Sequence, residues 1–166
     1  MLTQERLKQL LNYVPITGIF TWRVRNGTRG AVGKIAGSVI HAKKYKALRI
    51  KIDGKPYLSH RLAWLFMTGE WPLTDLDHKN MNTLDNRFKN LREATKKQNG
   101  ANRSVLSNNV SGYKGVSFYK RTKKWVAYIG NNNKKIHLGY FNTPEEAHAA
   151  YVTAANKYFG EFARNE

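Results

Sequence analysis

The chain has 166 residues, of which 29 are lysine or arginine and 11 are aspartate or glutamate, giving a formal net charge of +18. A hydrophobic content of 41% allows a packed core and argues against wholesale disorder. The absence of cysteine excludes disulfides, cysteine-based zinc sites and a thiol nucleophile. The charge predicts a polyanionic partner, usually nucleic acid, and the alternative is a solvated surface that happens to be basic.

The apolar segments are short, and none approaches the length of a transmembrane span. The basic residues do not line one long amphipathic helix, as they would in a membrane-surface protein. Residues 1–5 lack the charged and then apolar regions of a signal peptide. We therefore expect an intracellular protein that does not bind membranes.

Residues 1–58 predict a small helix and hairpin region. A helix is expected over residues 3–12, capped by Thr3, with Leu7, Leu10 and Leu11 on one face. A strand is expected over residues 19–24.

A β-hairpin is predicted next. Apolar residues alternate with Arg49 and Lys51, and Asp53-Gly54 then supplies a two-residue turn. Pro56 places the returning strand at an edge, because proline cannot donate a ladder hydrogen bond. We expect the hairpin with Arg49, Lys51 and Lys55, or the loop at residues 43–44, to contact the nucleic acid that the charge predicts.

Residues 59–107 form the second predicted segment. A helix over residues 60–67 should end at Gly69, and the capping box from Thr95 to Gln98 should open another. The stretch from 101 to 111 is rich in asparagine and serine and predicts a linker.

Residues 108–166 predict a third domain. Strands are expected over 115–119, 125–130 and 135–141, followed by a helix opened by Thr143 and Pro144 and closed by Gly160. The predicted fold class is α+β, ending in a three-stranded antiparallel sheet packed on one helix.

The adjacent residues Asp77 and His78 are candidates for catalysis. Histidine suits general-base work because its unperturbed pKa is about 6.5. A hard divalent metal prefers carboxylate and amide oxygens, which Asp77 and Asn99 could supply. Adjacent residues on a strand point to opposite faces, so a strand end or bend is needed to bring both to one site. Spacing alone leaves the functional and structural interpretations of this pair open.

Residues 60–102 resemble the HNH nucleases, in the asparagine-rich branch common among phage and homing endonucleases. The matching strings are Leu76-Asp77-His78-Lys79-Asn80, Asp85-Asn86-Arg87, Asn90-Leu91-Arg92-Glu93-Ala94-Thr95 and Gln98-Asn99. The resemblance implies a ββα-metal fold and hydrolysis of phosphodiester bonds.

The resemblance also implies roles for single residues. His78 would be the general base, Asp77 and Asn99 would hold the metal, and Asn90 would orient the loop and the His78 ring. A turn or cap is the alternative for Asn90. Position 99 carries asparagine where the founding motif has histidine, and this neutral oxygen ligand favours Mg²⁺ or Mn²⁺ over Zn²⁺.

Other polar residues near the motif have structural interpretations. For Asn86 a turn or cap is the preferred one, and Asn80 could steady the loop. His60 is expected to serve packing or phosphate contact rather than catalysis.

Residues 112–163 interleave bases with aromatics and resemble the plant APETALA/ethylene-response-factor type of DNA-binding domain. The matching strings are Lys114-Gly115-Val116-Ser117, Lys124-Trp125-Val126-Ala127, Ile136-His137-Leu138-Gly139-Tyr140-Phe141 and Thr143-Pro144-Glu145-Glu146-Ala147. The resemblance implies a sheet that enters the DNA major groove. The expected DNA contacts are Lys114, Ser117, Tyr119, Arg121, Lys124, Tyr128, Lys135 and His137.

Several arginines of the plant pattern are replaced here, since Ser117, Gly130 and His137 occupy contact positions. The target sequence of the plant family therefore does not transfer. For His137 a DNA contact is favoured over metal binding.

Together these patterns predict a metal-dependent DNA endonuclease with a tethered reader of sequence, of phage homing type, acting in a bacterial cytoplasm. The alternative is a DNA-binding regulator whose nuclease unit is degenerate. A monomer would nick double-stranded DNA, and a homodimer could cut both strands.

Overall fold

The computed structural model describes residues 1–25, 31–41, 45–102, 105, 109–132 and 134–164. The chain divides into two compact units, residues 1–94 and 95–166. The predicted three-part division at 58/59 and 107/108 stays a prediction. Among the described residues, no helix is both long and apolar enough to cross a bilayer.

Helices and strands alternate along the first unit. In chain order they are α1 (Gln4–Leu10), β1 (Leu11–Val14), β2 (Ile19–Trp22), β3 (Ser38–His41), β4 (Lys46–Ile52), β5 (Lys55–Leu58), α2 (Ser59–Thr68), β6 (Asp75–His78), a 3-10 turn (Phe88–Asn90) and β7 (Leu91–Ala94). The second unit contains α3 (Lys96–Ala101), β8 (Val116–Tyr119), β9 (Lys124–Asn131), β10 (Lys134–Phe141), α4 (Pro144–Phe159) and a 3-10 turn (Gly160–Phe162). Helices and antiparallel sheets together confirm the α+β class.

The first helix is shorter than the sequence predicts. The Thr3 side chain accepts a hydrogen bond from the Arg6 amide, which confirms the cap. The helix ends at Leu10, however, and Leu11 begins β1 instead of extending the helical face. Leu7 and Leu11 are both fully buried. Apolar spacing alone does not separate the last helical turn from the first residues of a buried strand.

The central hairpin follows its sequence pattern. Asp53 and Gly54 both have positive φ, 47° and 78°, as a type I′ turn requires. The strands β3, β4 and β5 form one antiparallel sheet in that order, so Pro56 lies in an edge strand as predicted.

One hydrophobic cluster joins the amino-terminal elements to the segment that carries the Asp77-His78 pair. It contains Leu7, Phe20, Ile50, Leu62 and Leu91, all buried. Because these side chains come from α1, β2, β4, α2 and β7, the amino-terminal region supports the β6–β7 pair through shared packing.

The turn between β1 and β2 lies against the loop that precedes β7. The Tyr13 hydroxyl donates to the Asn86 carbonyl at 2.7 Å, and the Phe88 amide donates to the Pro15 carbonyl at 3.2 Å. Gly18 has φ +74°, and a Cβ built there would lie 2.4 Å from the Arg87 amide nitrogen. Only glycine lets the two backbones approach so closely.

Gly18→Ala is therefore expected to destabilise the protein by about 1 to 3 kcal/mol, because it adds a backbone clash to a left-handed conformation. Gly54→Ala is the matched control. Gly54 also has positive φ, at 78°, but a Cβ there would meet nothing within 4 Å. Urea unfolding of both variants measures the difference, and equal losses of stability would contradict a close approach at Gly18.

The second unit is built on the sheet β10-β9-β8 with α4 packed on one face. Helix α4 begins with the predicted capping box between Thr143 and Glu146 and has proline in its first turn. Ile129 and Tyr151 are buried between sheet and helix. Helix α3, opened by its own capping box at Thr95, packs on α4 and the 3-10 turn that follows it.

Candidate functional site

The Asp77-His78 pair lies on an antiparallel two-stranded sheet. Asp77 is opposite Arg92 in the β6–β7 register, and His78, opposite Leu91, is the last residue of β6. Asp77 and His78 are only 5% and 6% exposed. Adjacent side chains on a regular strand point to opposite faces, so a strand end or bend was expected here. His78 does lie at a strand end.

The Asp77 carboxylate pairs with a residue that the sequence reasoning missed. Arg92 Nε and Nη2 both donate to Asp77 Oδ2, at 3.0 and 2.9 Å. Asp77 is buried and Arg92 is partly buried, with 12% of its side chain exposed. The string Asn90-Leu91-Arg92 matches the family motif, but the sequence does not assign a partner to Arg92. The hairpin register does, because it places Arg92 opposite Asp77.

Asn90 organises the loop between β6 and the 3-10 turn. Its Oδ1 accepts from the Asn80 amide at 3.0 Å, and its Nδ2 donates to Asn80 Oδ1 and to the Asp85 carbonyl. The Lys79 amide donates to the Asn90 carbonyl at 2.9 Å. This geometry supports loop orientation by Asn90 and loop support by Asn80, while a direct action of Asn90 on the His78 ring stays a prediction.

Asp85 fixes the far end of the same loop. Its carboxylate accepts from the Arg87 guanidinium and from Asn80 Nδ2. The Arg87 hydrogen bond is the main reason that the pKa of Asp85 is lowered to about 2. The carboxylate therefore stays ionised at neutral pH. Neighbouring Asn86 is buried and its Nδ2 donates to the Leu84 carbonyl, in line with the preferred structural interpretation.

His78 lies against a second histidine. The His60 ring, on α2, meets it edge to face, with ring centroids 5.2 Å apart and an interplanar angle of 81°. Burial lowers the pKa of His78, while the side chain of Asn86 and the charge of Asp77 oppose that shift. The imidazole is therefore neutral near pH 7, the form that can accept a proton.

His60 lies within α2, and its pKa is lowered by a larger amount. Burial, followed by the charges of His78 and Arg61, lowers the pKa of His60 to about 4. Above pH 6.5 the ring is neutral in both the folded and the unfolded chain. As the pH falls below 6.5 the unfolded chain gains a proton that the folded chain takes up only near pH 4.

Stability should accordingly fall between pH 6.5 and 4, with His60 contributing at most about 3 kcal/mol. His60→Gln should flatten this part of the profile, as measured by urea unfolding at pH 7 and 4.5. His41→Gln, at an exposed histidine of β3, is the control. A His60→Gln profile as steep as that of the unsubstituted chain would contradict the assignment.

The two residues expected to bind a metal belong to different compact units. Asp77 lies in the first unit and Asn99 lies on α3 in the second. Within the described ranges no three histidine, cysteine, aspartate or glutamate side chains cluster as metal ligands. A carboxylate and an amide are both oxygen donors of the kind that Mg²⁺ prefers, and this ion usually keeps several waters and binds substrate phosphate. They do not fit a closed structural zinc site.

The outer face of the β8–β10 sheet gathers most of the predicted DNA contacts. Alternation places Ala127 and Ile129 toward α4 and the neighbouring positions outward. The register pairs His137 with Tyr128 and Tyr119 with Lys124, and it aligns Ser117 with Val126. The predicted contacts that share this face are Ser117, Tyr119, Lys124, Tyr128, Lys135 and His137.

Aromatic rings form a row along this face. Tyr128 lies 5.2 Å from His137, which lies 4.8 Å from Tyr140, and Tyr140 lies 5.7 Å from Tyr119. Lys135 Nζ lies 3.8 Å from the centroid of the Tyr128 ring. Tyr140 was not among the predicted contacts. Its exposure and its place in the row make it a candidate contact, and neither is visible in the sequence.

The remaining predicted contacts lie at the edge of this face or away from it. Arg121 is exposed in the turn between β8 and β9, and its guanidinium carbon lies 6.0 Å from the centroid of the Tyr119 ring. Lys114 Nζ donates to the Ala101 carbonyl, and burial lowers the pKa of this lysine to about 8, so the structure does not bring it to the outer face. Arg49 and Lys51 are exposed on one face of β4. The loop at residues 43–44 lies outside the described residues.

Comparison with known families matches both functional segments. Residues 57–101 match the family model of HNH endonucleases, and residues 111–161 match that of the AP2 domain. The chain carries an HNH endonuclease domain and an AP2 domain. The two resemblances proposed from the sequence strings are thereby confirmed.

The AP2 domain is similar to domains of plant transcription factors. It is 44% identical over 50 residues to APETALA2-like protein 2 of Oryza sativa subsp. indica, covering 30% of this chain and 12% of that protein. It is 46% identical over 59 residues to ethylene-responsive transcription factor WRI1 of Arabidopsis thaliana, covering 34% of this chain and 14% of that protein. The chain thus spans less than a fifth of the length of these relatives.

Proposed function

We propose that this protein is a metal-dependent DNA endonuclease of the phage homing type, whose AP2 domain reads the target. The observation that carries the proposal is the buried Asp77-His78 pair at the end of β6, next to a loop held by Asn90, inside the segment that matches HNH endonucleases. The proposed place of action is the cytoplasm of a bacterial host.

His78 acts as general base in this proposal. Its burial favours the neutral imidazole, which takes a proton from the water that attacks the phosphorus atom. The β6–β7 register and the edge of the His60 ring restrict the orientation of the imidazole. Asn90 holds the loop that follows His78 by hydrogen bonds at both ends of its amide.

Asp77 and Asn99 are the proposed ligands of Mg²⁺ or Mn²⁺. When bound, such an ion neutralises charge on the phosphate and stabilises the leaving oxygen. Arg92 holds Asp77 Oδ2 with two hydrogen bonds, so it fixes the direction in which the carboxylate presents itself.

The AP2 domain supplies recognition. Its outer sheet face combines lysines, which neutralise phosphates, with aromatic and polar side chains that can contact base edges. Joining such a reader to the nuclease domain raises the effective concentration of the nuclease at its site.

Incubating the purified chain with supercoiled plasmid and Mg²⁺ tests the proposal. Nicked or linear plasmid should accumulate, and excess EDTA should prevent it. A gel-shift assay of the same samples reports binding separately. Binding without cleavage over a range of Mg²⁺ and Mn²⁺ concentrations would favour the other candidate, a DNA-binding regulator with a degenerate nuclease domain, which the similarity to plant transcription factors supports.

A further inference from the structure

A basic cleft lies at one end of the AP2 sheet, between α3 and the hairpin that joins β9 to β10. It has a volume of about 720 Å³, opens to solvent, and is lined by Lys97, Gly130, Asn132, Lys134 and Lys135. Lys97 comes from α3, which precedes the segment that matches the AP2 family model. The cleft therefore combines residues from two parts of the chain within one compact unit.

The lysines of this cleft have no carboxylate partner in the described part of the chain. None of the salt bridges formed by the described residues involves Lys97, Lys134 or Lys135. Lys97 Nζ is instead held by a neutral acceptor, Asn132 Oδ1, at 2.9 Å. Three cations around one opening repel one another, and an anion that enters the cleft relieves this repulsion.

The hairpin also leaves room for an anion. A Cβ built on Gly130 would meet nothing within 4 Å, so open space lies over this position. Lys135 Nζ lies over the Tyr128 ring on the outer sheet face, which makes the cleft continuous with the aromatic row. A DNA strand that follows that row would bring a phosphate past the hairpin.

We propose that this cleft binds a phosphodiester group of the DNA backbone, with Lys97 and Lys134 as its principal cationic ligands. The inference rests on the proposed DNA substrate and extends the reading surface beyond the AP2 domain to α3. Phosphate contacts of this kind fix register and orientation without reading sequence. Lys97 thus positions the duplex, and the sheet face reads it.

The test uses the full chain and a fluorescently labelled duplex of mixed sequence, with affinity measured by anisotropy over a range of KCl concentrations. Each neutralised phosphate contributes about 0.9 to the slope of log affinity against log salt. Lys97→Gln and Lys134→Gln should each reduce that slope by about this amount, whereas Lys97→Arg should preserve it. Gly130→Asp, which adds a carboxylate to the cleft, should weaken binding further.

Two controls separate phosphate binding from other causes. Lys157→Gln removes the same charge from an exposed position on α4 and should leave the slope nearly unchanged. Asn132→Gly removes the Lys97 hydrogen bond but suits the positive φ of 49° at this position, so binding should persist.

A Lys97→Gln slope equal to that of Lys157→Gln would overturn the inference while leaving the proposed function intact. If Asn132→Gly reduced the salt slope as much as Lys97→Gln does, the inference would also be overturned. Lys97 would then act by stabilising the hairpin through Asn132 and not by binding phosphate. An unsubstituted chain that does not bind the duplex would contradict the DNA substrate itself.

Discussion

His78→Ala should lower the rate of plasmid cleavage by about 10²- to 10⁴-fold, the range typical of losing a general base. The alanine variant lacks the imidazole that is proposed to accept the proton of the attacking water, while the sheet face that is proposed to bind DNA is untouched. Cleavage time courses at saturating DNA and Mg²⁺ measure the rate, and a gel-shift assay should show unchanged affinity.

Two further variants make this result specific. His41→Ala removes an exposed histidine of β3 and should cleave at the rate of the unsubstituted chain. His78→Gln keeps most of the buried volume, and should be as inactive as His78→Ala if the loss reflects chemistry and not collapse of the site. Cleavage by either His78 variant within tenfold of the normal rate would show that another group is the base.

Arg92→Leu should destabilise the protein by about 3 to 5 kcal/mol, because it leaves the buried Asp77 carboxylate without this partner. The Arg92 side chain is 12% exposed and that of Asp77 is 6% exposed, and two guanidinium nitrogens donate to one carboxylate oxygen. Urea unfolding followed by tryptophan fluorescence reports mainly on the first unit, where Trp22, Trp64 and Trp71 lie.

An exposed ion pair in the same unit is the natural comparison. Arg6 also donates two hydrogen bonds to one aspartate, Asp53, but its side chain is 47% exposed. Arg6→Leu should therefore have a much smaller effect, because water solvates the remaining carboxylate. If Arg6→Leu and Arg92→Leu shift the urea midpoint equally, the large stability loss expected for Arg92→Leu does not come from burial of the Asp77–Arg92 pair.

The sequence correctly predicted the helix ends and turns that are marked by capping residues or glycine. The capping boxes at Thr95 and Thr143, the turn at Asp53-Gly54 and the left-handed Gly69 all stand where the sequence placed them. Each depends on contacts within a few residues, which a single sequence contains.

Other features depend on contacts between distant parts of the chain. The strand β3 was missed because its residues are mostly exposed and do not alternate, and β1 because it continues directly from α1. The Tyr13 hydroxyl reaches the Asn86 carbonyl across 73 residues of sequence, and Arg92 meets Asp77 only through the strand register. Such pairings are set by packing and register, which local patterns leave open.

The position of α3 bears on how such proteins could be recombined. This helix carries both Lys97 and Asn99, and it is anchored on α4 and on the Lys114 side chain, which reaches its last carbonyl. A chimera that exchanged residues 111–161 alone would leave this helix on a foreign surface. A junction just before Thr95 would keep the helix on the surface that holds it, but it would also take Asn99, a proposed metal ligand, away from the HNH segment. The AP2 domain is therefore not an interchangeable cassette, because one helix serves both domains.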